Sequence, residues 1–172
     1  RLAFESVNVL STSDTDRCFS EFKRRWTELA STVVEILLDR YYKLLQMDKT
    51  DFPTVSKYNL WCEDFQDSGN LEEVFRHGTL SIGFIGLSEA MEILTGKKYY
   101  ASEDGRTMAL EFVRFMREFT DSCISKYKMN FSLLATSGEL ISGRFLELDG
   151  KIYDSKLIEK GYYTNSFHVD VD

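Results

Sequence analysis

The sequence contains one proline, Pro53, two histidines and three cysteines in 172 residues. With a single proline, long stretches carry no obligatory break, so helices of many turns are permitted. His77 and His168 stand too far apart to form a local ligand pair, and the chain has no His-Glu-x-x-His helix, no Gly-x-x-x-x-Gly-Lys loop and no Ser/His/Asp order. Zinc-protease, nucleotide-triphosphatase and triad-hydrolase chemistry therefore lack their residues. Cys18, Cys62 and Cys123 are widely spaced and outside any Cys-x-x-Cys pair, which argues against a disulfide framework and a zinc site. The helical register puts Cys18 and Cys123 beside apolar neighbours, so both are expected to be buried free thiols of a reducing compartment. Neither a run of about 18 apolar residues nor a signal peptide is present, so a cytoplasmic chain without a membrane span is expected.

What is present describes a globular core. Apolar residues make up 43% and aromatics 14% of the chain, with 13 Phe and 9 Tyr, too much bulky apolar surface for a disordered segment. The formal charge of -7 argues against a nucleic-acid surface. It leaves a phosphorylated small molecule open, because a local set of donors at a helix N-terminus suffices for that. Arg1 in place of Met, and a tail at Asp172 that reads as a strand in progress, suggest that both ends were cut from something longer.

Along the chain, residues 1 to 12 show no clear period and read as an irregular or short extended entry. From Asp14 or Asp16, Phe19, Phe22, Trp26, Leu29, Val33, Ile36, Leu37, Tyr41 and Leu44 recur at three- and four-residue steps. That spacing predicts a long core-facing helix, ended by the polar Asp48–Pro53 segment. Thr54 to Gly69 reads as an irregular connection whose aromatics, Tyr58, Trp61 and Phe65, pack on the long helix. Capping residues around Ser68-Gly-Asn then start a short helix that ends near His77-Gly78, with His77 a helix C-terminal residue. Residues 79 to 96 are apolar nearly all round and read as a buried helix stopped by Gly96, with Gly83 and Gly86 allowing close helix packing in its first turns. Ser102-Glu-Asp caps the next helix, to about Lys126, with Met108, Phe112, Phe115, Phe119 and Cys123 on one face and an Arg114–Glu118 pair on the wet side. The tail from Gly161 alternates like a strand.

Asn130 to Phe145 changes period in its middle. Asn-Phe-Ser-Leu-Leu-Ala reads as a buried strand, and from Ser137 or Gly138 the pattern is that of a helix with an early glutamate. A strand running through Ala-Thr-Ser-Gly into a helix gathers unpaired N–H groups and the positive end of the helix dipole at one point, which outlines an anion site. In the tail, Thr164-Asn165-Ser166 and His168 form a polar cluster within a strand-like run, and a structural hydrogen-bond network accounts for it.

Three segments together resemble the anaerobic (class III) ribonucleoside-triphosphate reductases, which are glycyl-radical enzymes. They are His77-Gly-Thr-Leu-Ser-Ile-Gly-Phe-Ile-Gly-Leu-Ser-Glu-Ala, Asn130-Phe-Ser-Leu-Leu-Ala-Thr with Leu140-Ile-Ser-Gly-Arg-Phe, and Tyr162-Tyr-Thr-Asn-Ser-Phe-His-Val. Arg1-Leu-Ala resembles the end of a further family segment. The resemblance implies a helix-rich α/β fold, with residues 1–172 a single unit inside a ten-stranded α/β barrel of the ribonucleotide reductase type. It also implies a thiyl radical, raised by a glycyl radical, that acts on a ribonucleoside triphosphate. The radical cysteine would lie upstream of Arg1, and the radical glycine and a cysteine-bound metal downstream of Asp172. No catalytic residue and no metal ligand falls within this chain, and Cys18, Cys62 and Cys123 match none of those positions.

For the segment itself, the resemblance implies that Ala135, Thr136, Ser137, Gly138 and Glu139 hold substrate phosphate, with Asn165, Ser166 and His168 bordering the site. Ser137-Gly138 replaces the Pro-Ala common in the family, which makes the turn less fixed but keeps its N–H donors. Asp170 stands where the family usually has Pro. The implied partners are the nucleotide, an iron–sulfur activating enzyme and a second copy in a homodimer. The alternative is a non-catalytic helical module derived from the same family that packs or dimerises through its long aromatic helix.

Overall fold

A computed structural model of the chain describes residues 1–11, 14–60, 70–154 and 156–166. Cys62, Trp61, Phe65 and His168, and the expected strand beyond Ser166, lie outside the described residues. The described elements are α1 (Leu2–Leu10), α2 (Thr15–Leu45), α3 (Pro53–Lys57), α4 (Leu71–Phe75), β1 (Thr79–Phe84), α5 (Leu87–Thr95), α6 (Glu103–Tyr127), β2 (Asn130–Ala135) and α7 (Glu139–Gly150). Short 3₁₀ turns occupy Lys49–Asp51, Tyr99–Ala101 and Lys156–Lys160. The chain is a helix-rich α/β structure around a small parallel sheet.

The long helix forms as its period predicts. Asp14 caps it by accepting from the Arg17 N–H at 3.1 Å, and it runs 31 residues. Phe19, Phe22, Trp26, Ala30 and Val34 enter the core and Val33 and Leu37 pack partly buried against it, whereas Leu29 and Ile36, expected inside, are exposed. The aromatic face of α6 packs on the first turns of α2. There Phe112 is ringed by Phe19, Phe22 and Trp26 at centroid distances of 6.2, 4.5 and 6.0 Å, and Trp26 also meets Phe115 and Phe119 edge-on. Ser102 caps α6 as expected, accepting from the Gly105 N–H at 3.0 Å. The ion pair on its wet face is Arg117–Asp121 at 2.8 Å, not Arg114–Glu118. Cys18 and Cys123 are buried free thiols, as their register predicts.

Four expectations need correction. Residues 1 to 12 are not irregular: Leu2, Ala3, Ser6, Val7 and Leu10 share a helical face that packs against α2. Ser6 hid that stripe from a purely apolar reading, and it is fully buried because its hydroxyl donates back to the Leu2 carbonyl at 2.7 Å. After Phe52, residues 53–57 form one helical turn, and Tyr58 is exposed rather than packed on the long helix. The tail from Gly161 to Ser166 is not a strand but an irregular strap held by side chains.

The fourth correction changes the topology. Residues 79–96 are not one helix but strand β1, a turn at Ile85-Gly86, and α5. Leu80, Ile82 and Phe84 alternate inward while Thr79, Ser81 and Gly83 face outward, a period of two that the high apolar content masked. Gly86 adopts a left-handed φ of +76° just before α5, and Gly96 closes the helix at φ +72°, donating to the Glu92 carbonyl at 2.8 Å.

β1 pairs in parallel with β2, from Thr79 opposite Asn130 to Phe84 opposite Ala135. Parallel neighbours need a long crossover, and α5 and α6 supply it. Both strands thus end at the same edge, and each feeds directly into a helix. No helix among the described residues is long and apolar enough to cross a membrane.

Candidate functional site

In an open parallel sheet, ligands bind where strands end and helices begin. Here that edge carries two helix N-termini side by side, and they differ. At α5 the tail meets two of the donors: the Gly86 N–H donates to the Thr164 carbonyl at 2.7 Å and the Ser88 N–H to the Thr164 hydroxyl at 3.4 Å. At α7 the first turn is open. Gly138 is the N-cap with φ +26°, no side chain caps the helix, and none of the described residues accepts from the N–H groups of Glu139, Leu140 or Ile141. The first intrahelical bond is Ser142 N–H to the Gly138 carbonyl, 2.8 Å.

Each residue expected at the anion turn has a definite place. Ala135 is the last residue of β2. Thr136 continues the sheet by donating its N–H to the Phe84 carbonyl at 3.1 Å, and its side chain lies directly over Gly83. Ser137 is exposed, and Gly138 makes the left-handed turn into α7. Glu139 is exposed in the first turn, where its charge suits the helix dipole but opposes a second anion. Ser166 lies beside this turn, donating its N–H to the Thr136 carbonyl at 3.2 Å. Asn165 is buried on the wall of a cavity of about 470 Å³ at the strand ends. That cavity is mainly apolar, walled by Phe84, Leu87, Tyr99, Leu110 and Val113, with Arg106 its charged wall residue. His77 is exposed next to Gly78, past the end of α4.

Sequence reasoning missed the group that organises this edge. Glu89 is 2% exposed. Its carboxylate accepts from the Thr164 N–H at 3.1 Å on each oxygen, from the Thr164 hydroxyl at 2.8 Å and from the Lys160 ammonium at 2.9 Å. The signal was a carboxylate, one of two with Glu92, within the otherwise largely apolar run Leu87–Leu94. Beside it, Tyr163 donates its hydroxyl to Asp149 at 2.8 Å, and the Ser142 hydroxyl donates to the Tyr163 carbonyl. Burial, followed by the hydrogen bond to the Asp149 carboxylate, pushes the Tyr163 phenol well above its ordinary range. Of the tail's polar cluster, Thr164 is thus part of a hydrogen-bond network, as its composition suggests, while His168 lies outside the described residues.

Residues 2–172 match the family model of the anaerobic ribonucleoside-triphosphate reductases. The chain belongs to this family. The anaerobic ribonucleoside-triphosphate reductase of Salmonella typhimurium is 34% identical over 108 residues, covering 60% of this chain and 15% of that protein. The reductase of Escherichia coli is 33% identical over the same length, with the same coverage. That of Enterobacteria phage T4 is 28% identical over 156 residues, 88% of this chain and 24% of the phage protein. The chain therefore spans 15% to 24% of the length of these reductases.

The resemblance to the reductases implies a radical carrier and a cysteine-bound metal in the whole protein. Among the described residues, no three His, Cys, Asp or Glu side chains lie together as a metal site. Cys123 stands near the end of α6, which leads into the start of β2, so it lies toward the opposite edge of the sheet from Ala135. Burial also raises its pKa, away from a reactive thiolate. No step through a radical or a metal is derived from this chain.

Proposed function

We propose that this chain is part of the catalytic α/β barrel of an anaerobic ribonucleoside-triphosphate reductase, and that its own contribution is to hold the substrate's phosphates. In this reading the enzyme reduces ribonucleoside triphosphates, with the radical parts, the activating enzyme and the dimer partner outside this chain. The two parallel strands would be neighbours within one wall of that barrel.

One observation carries the phosphate reading. Of two helix N-termini at the same strand edge, that of α5 is capped in part by Thr164, which accepts from the Gly86 and Ser88 N–H groups, and that of α7 presents three N–H groups with no acceptor among the described residues. Thr136, Ser137 and Gly138 lead into that turn, and Ala135 and Asn165 connect it to the cavity where the rest of a nucleotide would lie. The chemistry asked of these residues is binding and orientation: backbone donors and the helix dipole neutralise phosphate oxygens without a nearby cation.

Charge placement tests this, because helix stability and anion binding should respond with opposite signs. Ser137→Asp puts a negative charge beside the positive end of α7, which should stabilise the helix by about 0.3–1 kcal/mol. The same charge should weaken binding of a nucleoside triphosphate, by roughly tenfold through like-charge repulsion. Glu139→Gln should do the reverse, lowering Tm slightly and tightening binding. Calorimetric titration of the full chain with a ribonucleoside triphosphate, beside thermal melts, reads both. If Ser137→Asp and Glu139→Gln bind as the parent does, the α7 N-terminus is not the phosphate site.

A further inference from the structure

Gly161 to Ser166 has no regular secondary structure, yet Tyr163, Thr164 and Asn165 are buried in succession. An irregular segment is buried only if side chains satisfy its backbone. Here Ser142, Gly86 and Thr136 each meet one backbone group of the segment, and Glu89 takes the Thr164 N–H, its four short contacts all coming from Thr164 and Lys160. Burying a carboxylate is costly, and replacement of such groups by apolar ones is often neutral or stabilising. A role in geometry accounts for the glutamate better than a role in stability does.

The geometry connects Glu89 to the other helix start. Thr164, gripped by Glu89, returns its carbonyl to the Gly86 N–H, and two residues on Ser166 donates to the Thr136 carbonyl at 3.2 Å. Tyr163, one residue before Thr164, accepts from Ser142 on α7. The strap thus lies across both helix N-termini. Glu89, in the first turn of α5, also places a negative charge at that end, as the exposed Glu139 does at α7.

We propose that Glu89 is a positioning residue: by gripping Thr164 it holds the Lys160–Ser166 strap in place, and through the strap it sets the Thr136–Gly138 turn and the cavity position of Asn165. The ligand side of this proposal rests on the phosphate reading above. The geometric side does not.

The test is Glu89→Gln in the full chain, with Thr164→Val as a second variant that keeps the N–H bonds and removes the hydroxyl. Gln keeps the shape of Glu but has one acceptor oxygen for the donors that the carboxylate now receives. Amide hydrogen exchange without ligand is the first readout. Exchange at Thr136, Thr164 and Ser166 should rise roughly tenfold or more in Glu89→Gln, with Phe112 and Met116 unchanged, since local opening is separable from global unfolding. Inorganic tripolyphosphate binding is the second readout, and it should weaken by roughly tenfold. Val34→Ala, which loosens the core far from the strap, should leave that binding within about twofold, because distant sites act independently.

If exchange at Thr136 and Ser166 is the same in Glu89→Gln as in the parent, the proposal is overturned whatever tripolyphosphate does. Equal loosening of the core and the strap would overturn it too, since Glu89 would then be a stability residue only. If the parent does not bind tripolyphosphate while Glu89→Gln still loosens both turns, the positioning role stands and the phosphate reading falls. Should Glu89→Gln not fold, the same outcomes are read on Thr164→Val.

Discussion

A β-carbon added to Gly83 would lie 2.0 Å from the Thr136 hydroxyl oxygen, so the Thr136 side chain occupies the space that any other residue at position 83 would need. The contact joins the outward face of β1 to the first residue after β2. It fixes where the turn into α7 leaves the sheet.

Gly83→Ala should therefore displace Thr136 and not the core, because Gly83 faces away from Ile82 and Phe84. The expected cost is about 1–3 kcal/mol, the range for overpacking a closed contact. Binding of a nucleoside triphosphate should weaken at the same time. Gly83→Ala combined with Thr136→Ser, which removes a methyl but keeps the hydroxyl at fault, should recover little of the loss. Gly83→Ala with Thr136→Ala should recover most of the stability. Denaturant melts of the single and double variants check this.

Phe112 is the residue on which α2 and α6 meet. Phe112→Ala leaves a hole facing Phe19, Phe22 and Trp26 and should cost about 3–5 kcal/mol. Leu29→Ala and Ile36→Ala, at exposed positions of the α2 stripe, should cost less than about 1 kcal/mol each in the isolated chain. Chemical denaturation separates the two groups.

Tyr163 predicts an alkaline effect. Its folded pKa is raised above the ordinary tyrosine value by burial and by its bond to Asp149, so the folded state holds its proton longer than the unfolded chain does. The associated stability is full below about pH 10 and is lost as pH rises beyond it, toward the folded pKa. Tyr163→Phe should flatten that alkaline fall while lowering stability at neutral pH, because Asp149 loses a buried donor. A pH series of thermal melts across the alkaline limb checks the sign.

Glu21 predicts an acid effect of the opposite sign. Arg24 first, with Arg25, holds its carboxyl down to about 2 from its ordinary 4.5. Its contribution is present above pH 4.5 and is lost as pH falls through about 2. Glu21→Gln should remove that part of the acid transition, and the difference should shrink in high salt because the cluster lies at the surface.

Much of this architecture was legible in local pattern. The α2 and α6 helices follow from apolar residues at three- and four-residue steps, their starts from Asp14 and Ser102, and the stop after α5 from Gly96. The strand-to-helix change at Asn130–Phe145 was legible too, because each half has enough residues to show its own period. The Ala135–Glu139 turn singled out in it is the passage from β2 into α7.

Other features depend on residues far away in the chain. Six residues such as Thr79–Phe84 alternate too briefly to be told from a buried helix, and they become a strand because β2, 51 positions on, supplies the hydrogen bonds. Glu89 reads as one of two glutamates in a largely apolar run. It becomes a buried acceptor because Thr164, 75 positions later, brings a backbone N–H and a hydroxyl to it. Local period sets which segments can be helices, since a helix satisfies its backbone within itself. Strand pairing, the partial capping of one helix end rather than the other, and the burial of a carboxylate all need partners from distant segments, so the packed chain chose them.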